Sequence, residues 1–422
     1  MEYAPADRQV HTQRTIVRLI SSRLLLATSA VAARCVPVAA AACVMGVGLI
    51  AQPTPVDWRS IAPGVEHAEL TRKTDEAGQP AGPWVINALR IDPSQARLDI
   101  VHAQDEAVGL ETVGSVAERR GAIAAVNGGY FRMTGTFAGD STGTLQIDGK
   151  LLSEPDRGRA AVGLVRAGNT THLVMGHVSW HGSAEIEGRK RTIDGINRPR
   201  GKNEVVLFTP EFHQTTLTDS TGTELIVRQG RVISVRDNAG SSRIPSDGYV
   251  LSTRGSAREW ARSIRRGTRV KIAIGLNPLD SDGTLVGLAK PANDSQENPW
   301  AKAEDILGAG PKLVSRGRVD ITAGREKMLA SFATDRHPRT AIASLADGRI
   351  LLVVVDGRQP TLSVGMSLDE LARLLIDLDA VEAMNLDGGG STTMVVQGKV
   401  VNHPSDVTGE RPVSDAILVL PQ

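Results

Sequence analysis

The sequence predicts an α+β protein with a β-rich mixed-sheet core, a few packed helices, and glycine-rich loops at strand ends that form the site. The first observation is that short apolar runs alternate with polar residues along most of the chain, as in strands with one buried face. The second is the abundance of glycine, at 43 residues, which favours many tight loops. The third is the aromatic content of only 3%, so the core must be built mainly from Val, Ile, Leu and Ala.

The overall composition is that of a globular protein. The chain has 422 residues, of which 23% are charged and 41% hydrophobic, and its formal net charge is +1. This balance argues against a disordered chain and against a polyanion-binding surface. The sequence has no dense basic run interleaved with aromatic residues, so nucleic acid is not an expected partner. A chain of this length can form one large domain with subdomains or two domains.

Residues 1–52 are predicted to be an export signal or a membrane anchor. Five arginines precede an uncharged run of 17 residues, Cys35–Ala51, which is typical of such segments. The run is at the short limit for crossing a bilayer and contains Pro37, so cleavage and anchoring both stay open. We expect the rest of the chain to lie outside the cytoplasm, secreted or anchored, and to meet the membrane only through this segment. The alternative is a buried helix of a cytoplasmic protein, against which the upstream arginines argue.

Residues 53–121 are predicted to be a β-rich lead-in to the main domain. Alternation of apolar and polar residues over Trp84–Ile100 predicts two strands joined by a turn. A short helix is predicted over Leu110–Arg120. The small apolar run Ala122–Val126 predicts a buried strand, which begins the main domain, 122–422.

The middle of the chain, Leu145–Leu288, is predicted to be β-rich because short apolar runs alternate with turns containing Gly, Asp and Asn. Two polar loops, Ile196–Glu204 and Pro291–Trp300, are each candidates for a subdomain boundary. Neither loop is long enough to be a linker between independent units.

The last third has the predicted order strand, helix, strand, glycine-rich loop and hairpin. The apolar run Ile350–Val355 predicts a buried strand. Leucines at helical spacing from Leu368 to Leu378 predict a helix, and a capping box of Ser367 and Glu370 marks its start. A second strand, the glycine-rich loop and a hairpin turning at residues 397–398 follow.

The stretch MNLDGGGSTTM, Met384–Met394, places an aspartate, three glycines and three hydroxyl residues in one loop. Because a strand and a hairpin anchor the loop at its two ends, a ligand-binding loop is favoured over a flexible linker. The amides of Gly388, Gly389 and Gly390 could converge on an anion. Asp387 could orient a sugar hydroxyl, hold a cation or act on a substrate. The alternative is a strained turn whose aspartate caps its own backbone.

Polar residues at the ends of other predicted strands are further candidates for the site. Asn127 and Gly128 directly follow a predicted buried strand. Arg339 and Arg411 are suited to bidentate binding of phosphate or carboxylate. Glu410 adjoins Arg411 and a glycine in a loop near the end of the chain.

These motifs, in this order, resemble the phosphodiester glycosidase family. The stretches NGGYF, RHPRTAIA, NLDGGGSTTM and GERPVSDAILV carry much of the resemblance. It extends from about Ala122 to the C-terminus and is densest from Ala309 onward. The resemblance implies an exported hydrolase that cleaves the sugar–phosphate bond of an N-acetylglucosamine-like glycosyl-1-phosphodiester. It also implies a small-molecule or glycan phosphodiester as the partner, in envelope or exopolysaccharide metabolism.

The resemblance and the residue types together suggest roles for the candidate residues. Asp387 or Glu410 is expected to activate water or stabilise the anomeric centre, and the other to position sugar hydroxyls. Arg339 and the three glycine amides are expected to hold the phosphodiester. The remaining contacts to sugar and phosphate are assigned to Asn127, Gly128, Asp356, Ser391, Thr392 and Arg411.

The sequence has no cluster of residues at metal-ligand spacing, and a divalent cation, Ca²⁺ or Mg²⁺, at Asp387 stays open. His337 and His403 are each expected to pack within their loops rather than to act as a base. Two other functions stay open: a non-catalytic protein that binds envelope glycans or phosphodiesters, and a hydrolase that attacks phosphorus instead of carbon. The identity of the sugar and aglycone, the stereochemical outcome and the oligomeric state are also open.

Overall fold

A computed structural model describes residues 56–74, 80–156, 158–280 and 298–422. The chain divides into two units, Met1–Thr54 and Pro55–Gln422, and all that follows concerns the second. The predicted export segment lies outside the described residues, as does most of the polar loop Pro291–Trp300. Within the described ranges, no helix is both long enough and apolar enough to cross a membrane.

The described elements are mainly strands, as the composition predicted. In chain order the strands are β1 (Arg59–Ala62), β2 (Val65–Thr74), β3 (Pro80–Ile91), β4 (Ala96–His102), β5 (Ala124–Asn127), β6 (Leu145–Ile147), β7 (Lys150–Ser153), β8 (Ala160–Ala167), β9 (Thr170–Ile186), β10 (Arg189–Thr192), β11 (Gly195–Ile196), β12 (Val205–Phe208), β13 (Thr223–Arg228), β14 (Arg231–Asp237), β15 (Gly248–Thr253), β16 (Val270–Leu279), β17 (Ala303–Gly308), β18 (Lys312–Ser315), β19 (Arg318–Val319), β20 (Arg339–Leu345), β21 (Ile350–Val355), β22 (Ala380–Asn385), β23 (Met394–Val396), β24 (Lys399–Val400) and β25 (Asp415–Pro421). The α-helices are α1 (Val113–Arg120), α2 (Ala257–Ser263), α3 (Ala330–Thr334) and α4 (Leu368–Asp377).

The largest sheet has eight strands in the order β1-β2-β3-β21-β20-β22-β18-β19. Strand β3, from the predicted lead-in, pairs with β21, so Ile91 lies opposite Ile350. This sheet is buried on both faces. One face packs against the leucines of α4, and the other packs against a second sheet that contains β4, β5 and β25. Burial on both faces explains why β21 is entirely apolar.

The second sheet, of five strands, has the order β24-β23-β5-β25-β4. The glycine-rich loop connects β22 in the eight-stranded sheet to β23 in this one. Strand β5, which ends at Asn127, lies beside β23 in the five-stranded sheet. The two sheets therefore hold the loop from both of its ends.

Two predicted elements of the last third are confirmed. Helix α4 begins at a capping box in which the Ser367 side chain accepts from the Glu370 amide and Glu370 accepts from the Ser367 amide. The hairpin β23–β24 turns at Gln397 and Gly398, both of which have positive φ, 49° and 75°. Two successive positive φ angles are those of a tight hairpin turn that matches the strand twist.

Most of the other predicted elements are present in the structure. Helix α1 is confirmed, and it ends at Gly121 in the left-handed conformation with φ 64°. The two strands of Trp84–Ile100 form as β3 and β4, but they belong to different sheets. The middle of the chain is β-rich, in a seven-stranded and a second five-stranded sheet. Helices α2 and α3 are short and were not predicted.

Candidate active site

The glycine-rich loop closes on itself as a 3₁₀ turn over Gly389–Ser391. The amide of Gly388 donates to Oδ1 of Asp387 at 2.9 Å, and the amide of Gly389 donates to the carbonyl of Pro338 at 2.9 Å. Two of the three glycine amides predicted to bind an anion are thus paired within the protein. The loop uses both donors to hold its own shape, and the predicted contact of these amides with an anion stays a prediction.

Close neighbours explain why this loop contains glycines. A Cβ at Gly388 would lie 2.7 Å from the carbonyl oxygen of Pro338. A Cβ at Gly390 would lie 2.2 Å from both Nη2 of Arg411 and Oδ1 of Asp406. Both distances are far shorter than normal van der Waals contact. The loop is therefore enclosed by the start of β20 on one side and by the loop before β25 on the other.

The backbone of Asp387 is held on both sides by the segment that follows β5. Its amide donates to the carbonyl of Gly128 at 2.9 Å, and its carbonyl accepts from Nδ2 of Asn127 at 2.7 Å. Burial raises the pKa of the Asp387 carboxyl to about 6, against the opposing effects of the Gly388 amide and the positive charge of Arg411. A carboxyl group with this pKa can exchange protons near neutral pH, as acid–base catalysis requires.

Asn127 joins three elements of the fold. Its side chain is fully buried, and Oδ1 accepts from Oγ1 of Thr340 at 2.7 Å and from the Thr393 amide at 3.2 Å. Gly128 contacts the buried Asp415, whose Oδ1 would lie 2.1 Å from a Cβ at that position. Both residues thus position the loop, and their predicted contact with a substrate stays a prediction.

Tyr130 is a site residue that the sequence interpretation missed, although it lies within the NGGYF motif. Its hydroxyl donates to the Gly310 carbonyl at 2.6 Å and accepts from Nδ2 of Asn385 at 3.2 Å. Burial and then the negative charge of Asp387 raise the pKa of the phenol well above its usual value. The ring packs edge-on against Phe332, with ring centroids 6.3 Å apart. Tyr130 therefore stays neutral, and its packed ring borders the site near Asp387.

Arg339 is buried, and backbone carbonyls hold its guanidinium group. It is 1% exposed, Nε donates to the carbonyl of Met366 at 2.8 Å, and Nη2 donates to those of Phe332 and Asp335 at 2.8 and 3.0 Å. Burial lowers the pKa of the guanidinium to about 10. Backbone carbonyls occupy Nε and Nη2, and the predicted role of Arg339 in holding the phosphodiester stays a prediction.

Arg358 is a second cation close to the glycine-rich loop. It is exposed, has φ 61°, and its Nη2 lies 2.9 Å from where a Cβ on Gly389 would be. Among the described residues its side chain has neither an ion-pair nor a hydrogen-bond partner. A left-handed conformation is uncommon for a side chain of this size and commonly marks a functional position. The sequence signal was the DGR turn after β21, from which only Asp356 was chosen.

The two candidates Glu410 and Arg411 form separate contacts. Glu410 accepts from the Gly114 amide at 2.8 Å, in the first turn of α1, where a carboxylate is favoured by the helix dipole. Arg411 forms a bidentate pair with Asp406, with distances of 2.6 and 2.8 Å, and lies beside Gly390. Glu410 thus has a helix-capping contact, and its predicted catalytic role stays a prediction.

Asp356 is buried and faces His403 rather than open space. Its Oδ1 accepts from Nδ2 of Asn402 at 2.9 Å, and its Oδ2 lies 3.0 Å from Nδ1 of His403. Protein groups contact both carboxylate oxygens, and the predicted contact of Asp356 with a substrate stays a prediction. The His403 side chain is 54% exposed, so it is not packed away as predicted.

Ser391 and Thr392 are both buried beside Asp387. Their hydroxyls, and that of Thr393, have no hydrogen-bond partner among the described residues. Ser391 Oγ is near enough to the Asp387 carboxylate to lower its pKa, but it forms no hydrogen bond of normal geometry. Buried hydroxyls without partners are uncommon and indicate strain or a functional role.

No group of three or more His, Asp or Glu side chains placed to hold a metal ion is found in the described ranges.

Comparisons with known proteins agree with the sequence resemblance. Residues 221–420 match the model of the family described as phosphodiester glycosidase. The N-acetylglucosamine-1-phosphodiester alpha-N-acetylglucosaminidase of Bos taurus is 33% identical over 155 residues, which cover 33% of this chain and 28% of that protein. The enzyme of the same name from Mus musculus is 28% identical over 174 residues, 39% of this chain and 30% of that one. The chain thus matches less than a third of the length of these relatives.

Two solved structures have similar folds. An inferred exported protein of Burkholderia pseudomallei K96243 has a TM-score of 0.69 and 28% identity, covering 82% of this chain and 76% of that one. A hypothetical protein from Synechocystis has a TM-score of 0.70 and 24% identity, covering 87% of this chain and 64% of that one. The second likeness concerns the fold alone.

The fold and the site define a β-rich α+β protein with a half-buried carboxylate in a glycine-rich loop that links two sheets. Within this class, the resemblance to the phosphodiester glycosidase family is confirmed, over residues 221–420. That range contains Arg358, Asp387 and His403, whereas Asn127 and Tyr130 lie before it.

Proposed function

We propose that the protein hydrolyses the sugar–phosphate bond of a glycosyl-1-phosphodiester with an N-acetylglucosamine-like sugar. The observation that carries the proposal is the carboxyl group of Asp387, whose pKa of about 6 results from burial and which lies in a loop bordered by Arg358 and Arg411. The reaction develops positive charge on the anomeric carbon and negative charge on the departing phosphate. A carboxylate can stabilise the first charge and the neighbouring cations the second. The family match and the two named enzymes support the same reaction class.

On the phosphate side, the chemistry needs stabilisation of the charge that develops on the leaving group. Cleavage at the anomeric carbon passes through an oxocarbenium-like transition state. The leaving group is a phosphomonoester, whose second pKa is near ~6, so it departs readily at neutral pH when its charge is stabilised. Arginine provides that stabilisation through charge-assisted hydrogen bonds.

Within this proposal, Asp387 accepts a proton from the attacking water or stabilises the positive anomeric carbon. Arg358 takes the phosphate-binding role first predicted for Arg339, since its side chain is exposed and unpaired within the described part of the chain. The hydroxyls of Ser391 and Thr392 provide hydrogen bonds to the sugar.

We further propose that the enzyme acts outside the cytoplasm, on envelope or exopolysaccharide material. The basic and apolar residues 1–52 support export, and the likeness to an inferred exported protein supports it as well.

A second candidate function is binding of glycan phosphodiesters without catalysis. The hydrogen bond from the Gly388 amide to the Asp387 carboxylate favours it, because an aspartate that caps its own loop has one oxygen already in use. Such a protein would use the same loop as a recognition surface.

A substrate panel separates the two functions. The full chain is incubated with UDP-N-acetylglucosamine and with methyl diesters of N-acetylglucosamine, glucose and mannose 1-phosphates, and free sugar is measured. Release of sugar from at least one diester, abolished in an Asp387→Asn variant that keeps its fold, supports the glycosidase. A diester that binds tightly and is recovered intact supports the binding protein and contradicts the glycosidase.

A further inference from the structure

His403 and Asp356 form a pair with the geometry of an oriented acid–base group. Nδ1 of His403 lies 3.0 Å from Oδ2 of Asp356, and the His403 backbone amide donates to both carboxylate oxygens at 3.0 Å. The carboxylate is buried, while the histidine side chain is 54% exposed. An acceptor at Nδ1 requires that this nitrogen carries a proton. The other nitrogen, Nε2, can then exchange a proton with a ligand.

Asp356 is held firmly enough to orient the ring. Its amide donates to the carbonyl of Val85 at 3.0 Å, in the neighbouring strand β3, and its carbonyl accepts from Oγ of Ser363 at 2.6 Å. Nδ2 of Asn402 adds a further hydrogen bond to the carboxylate at 2.9 Å. These contacts fix the carboxylate, and its Oδ2 orients the imidazole through Nδ1.

The segment that carries His403 borders the glycine-rich loop. The preceding residue, Asn402, donates to the carbonyl of Thr392 at 3.1 Å. Gln359, which follows Arg358, donates from Nε2 to the carbonyl of His403 at 2.9 Å. His403 therefore lies next to the segment that carries Arg358, the cation assigned to phosphate.

We propose that His403 is a catalytic residue that donates a proton from Nε2 to the departing phosphate. This inference rests on the proposed function. As the bond between the anomeric carbon and the bridging oxygen breaks, its electron pair stays on that oxygen, and the proton of His403 moves to the phosphate. The water oxygen bonds to carbon and its proton passes to Asp387. The products are the free sugar and a phosphomonoester, and His403 is reprotonated from solvent.

The charges around His403 suit this role. The Asp356 carboxylate lies on the Nδ1 side of the ring. Arg358 follows β21 and precedes Gln359, whose side chain contacts the His403 carbonyl. Asp406 and Arg411, in the same loop as His403, neutralise each other. The proton donor thus acts together with a cation on one leaving group.

The test uses His403→Asn, because Asn keeps a donor close to the position of Nδ1 and can retain the hydrogen bond to Asp356, but has no counterpart of Nε2. Two substrates are compared, the methyl and the 4-nitrophenyl diesters of the sugar 1-phosphate that the panel identifies. The nitrophenyl phosphate is the better leaving group and needs less protonation. We expect His403→Asn to lower kcat on the methyl diester by about 10²-fold. The loss on the nitrophenyl diester should be severalfold smaller. A purely structural role would lower both values equally.

His172→Asn is the matched control, since His172 is exposed on β9, in the seven-stranded sheet, and it should behave as the unchanged protein. Binding of methyl phosphate is followed in parallel through the NMR signals of the His403 ring. This measurement does not depend on turnover. If the unchanged protein turns over the diesters and His403→Asn lowers kcat equally on both, or not at all, the inference is overturned. The proposed function is then unaffected. No turnover on any diester, together with a shift of the ring signals by methyl phosphate, overturns the proposed function but supports the phosphate contact. No turnover and no shift overturns both.

Discussion

Nδ2 of Asn127 donates a hydrogen bond of 2.7 Å to the backbone carbonyl of Asp387, a residue 260 positions later in the chain. This bond fixes the candidate catalytic carboxylate to the end of β5. Because Oδ1 of Asn127 accepts from Thr340 and from the Thr393 amide, one side chain connects two sheets and the loop between them.

Replacement of Asn127 by Ala should therefore destabilise the protein and lower its activity. The change leaves the Thr340 hydroxyl and the Thr393 amide buried without partners, and each such group costs about 1–3 kcal/mol. The free energy of unfolding from urea titration measures this effect. Asn169→Ala, at an exposed position, is the control and should change the free energy little. An Asn127→Ala protein of unchanged stability would show that the connection is not important.

Asp387 should make stability depend on pH. Burial raises its folded-state pKa to about 6, above the value of about 3.9 expected in the unfolded chain. The folded state thus binds the proton more tightly, so the stability contribution is fully present below pH 4 and is lost as the pH rises through 6. Asp387→Asn removes this penalty. The variant should be more stable than the unchanged protein at pH 7, by at most about 3 kcal/mol, and the difference should vanish near pH 4.

The same substitution should nearly abolish turnover. If the Asp387 carboxylate accepts the proton of water, kcat/KM rises with pH through about 6 in the unchanged protein, and Asp387→Asn lowers kcat by about 10²–10⁴-fold. The pH–rate profile of both proteins on the same diester tests this. A folded variant with full turnover would remove Asp387 from the mechanism.

Loss of Arg358 should weaken substrate binding, whereas loss of Arg339 should destabilise the fold. Arg358→Ala removes an exposed cation that is unpaired among the described residues. We expect substrate binding to weaken by at least roughly tenfold, with unchanged stability. Arg339→Ala instead leaves the carbonyls of Met366, Phe332 and Asp335 without their donor. It should lower the free energy of unfolding by several kcal/mol, on the order expected for a buried charged donor.

Steady-state kinetics and thermal unfolding of the two variants are compared, with Arg265→Ala as the exposed control. If Arg339→Ala proves stable and only weakens phosphate binding, then Arg339 is the phosphate-binding cation that its residue type suggests, and Arg358 is not.

Much of the last third of the fold could be predicted because its signals are local. Helix α4 is specified by its leucine spacing and by a capping box four residues long, and the β23–β24 hairpin by two adjacent turn residues. The resemblance to a family also depends on short motifs, which one sequence displays directly.

The roles of individual site residues were harder to predict because their partners are distant in the chain. Glu410 is a plausible catalyst by residue type, but its partner, the Gly114 amide, is 296 residues away. Arg339 has the fork that phosphate requires, yet its burial follows from how β20 packs. Arg358 was missed because neither its exposure nor its left-handed backbone is apparent from residue type.

The most direct test of the proposed reaction is the fate of the water oxygen. The protein is incubated in water enriched in heavy oxygen with the diester that it cleaves, and the label is located in the products by mass spectrometry. Attack at the anomeric carbon, assisted by Asp387, predicts label in the released sugar and none in the phosphomonoester. Label in the phosphomonoester would place the attack at phosphorus and contradict the glycosidase mechanism.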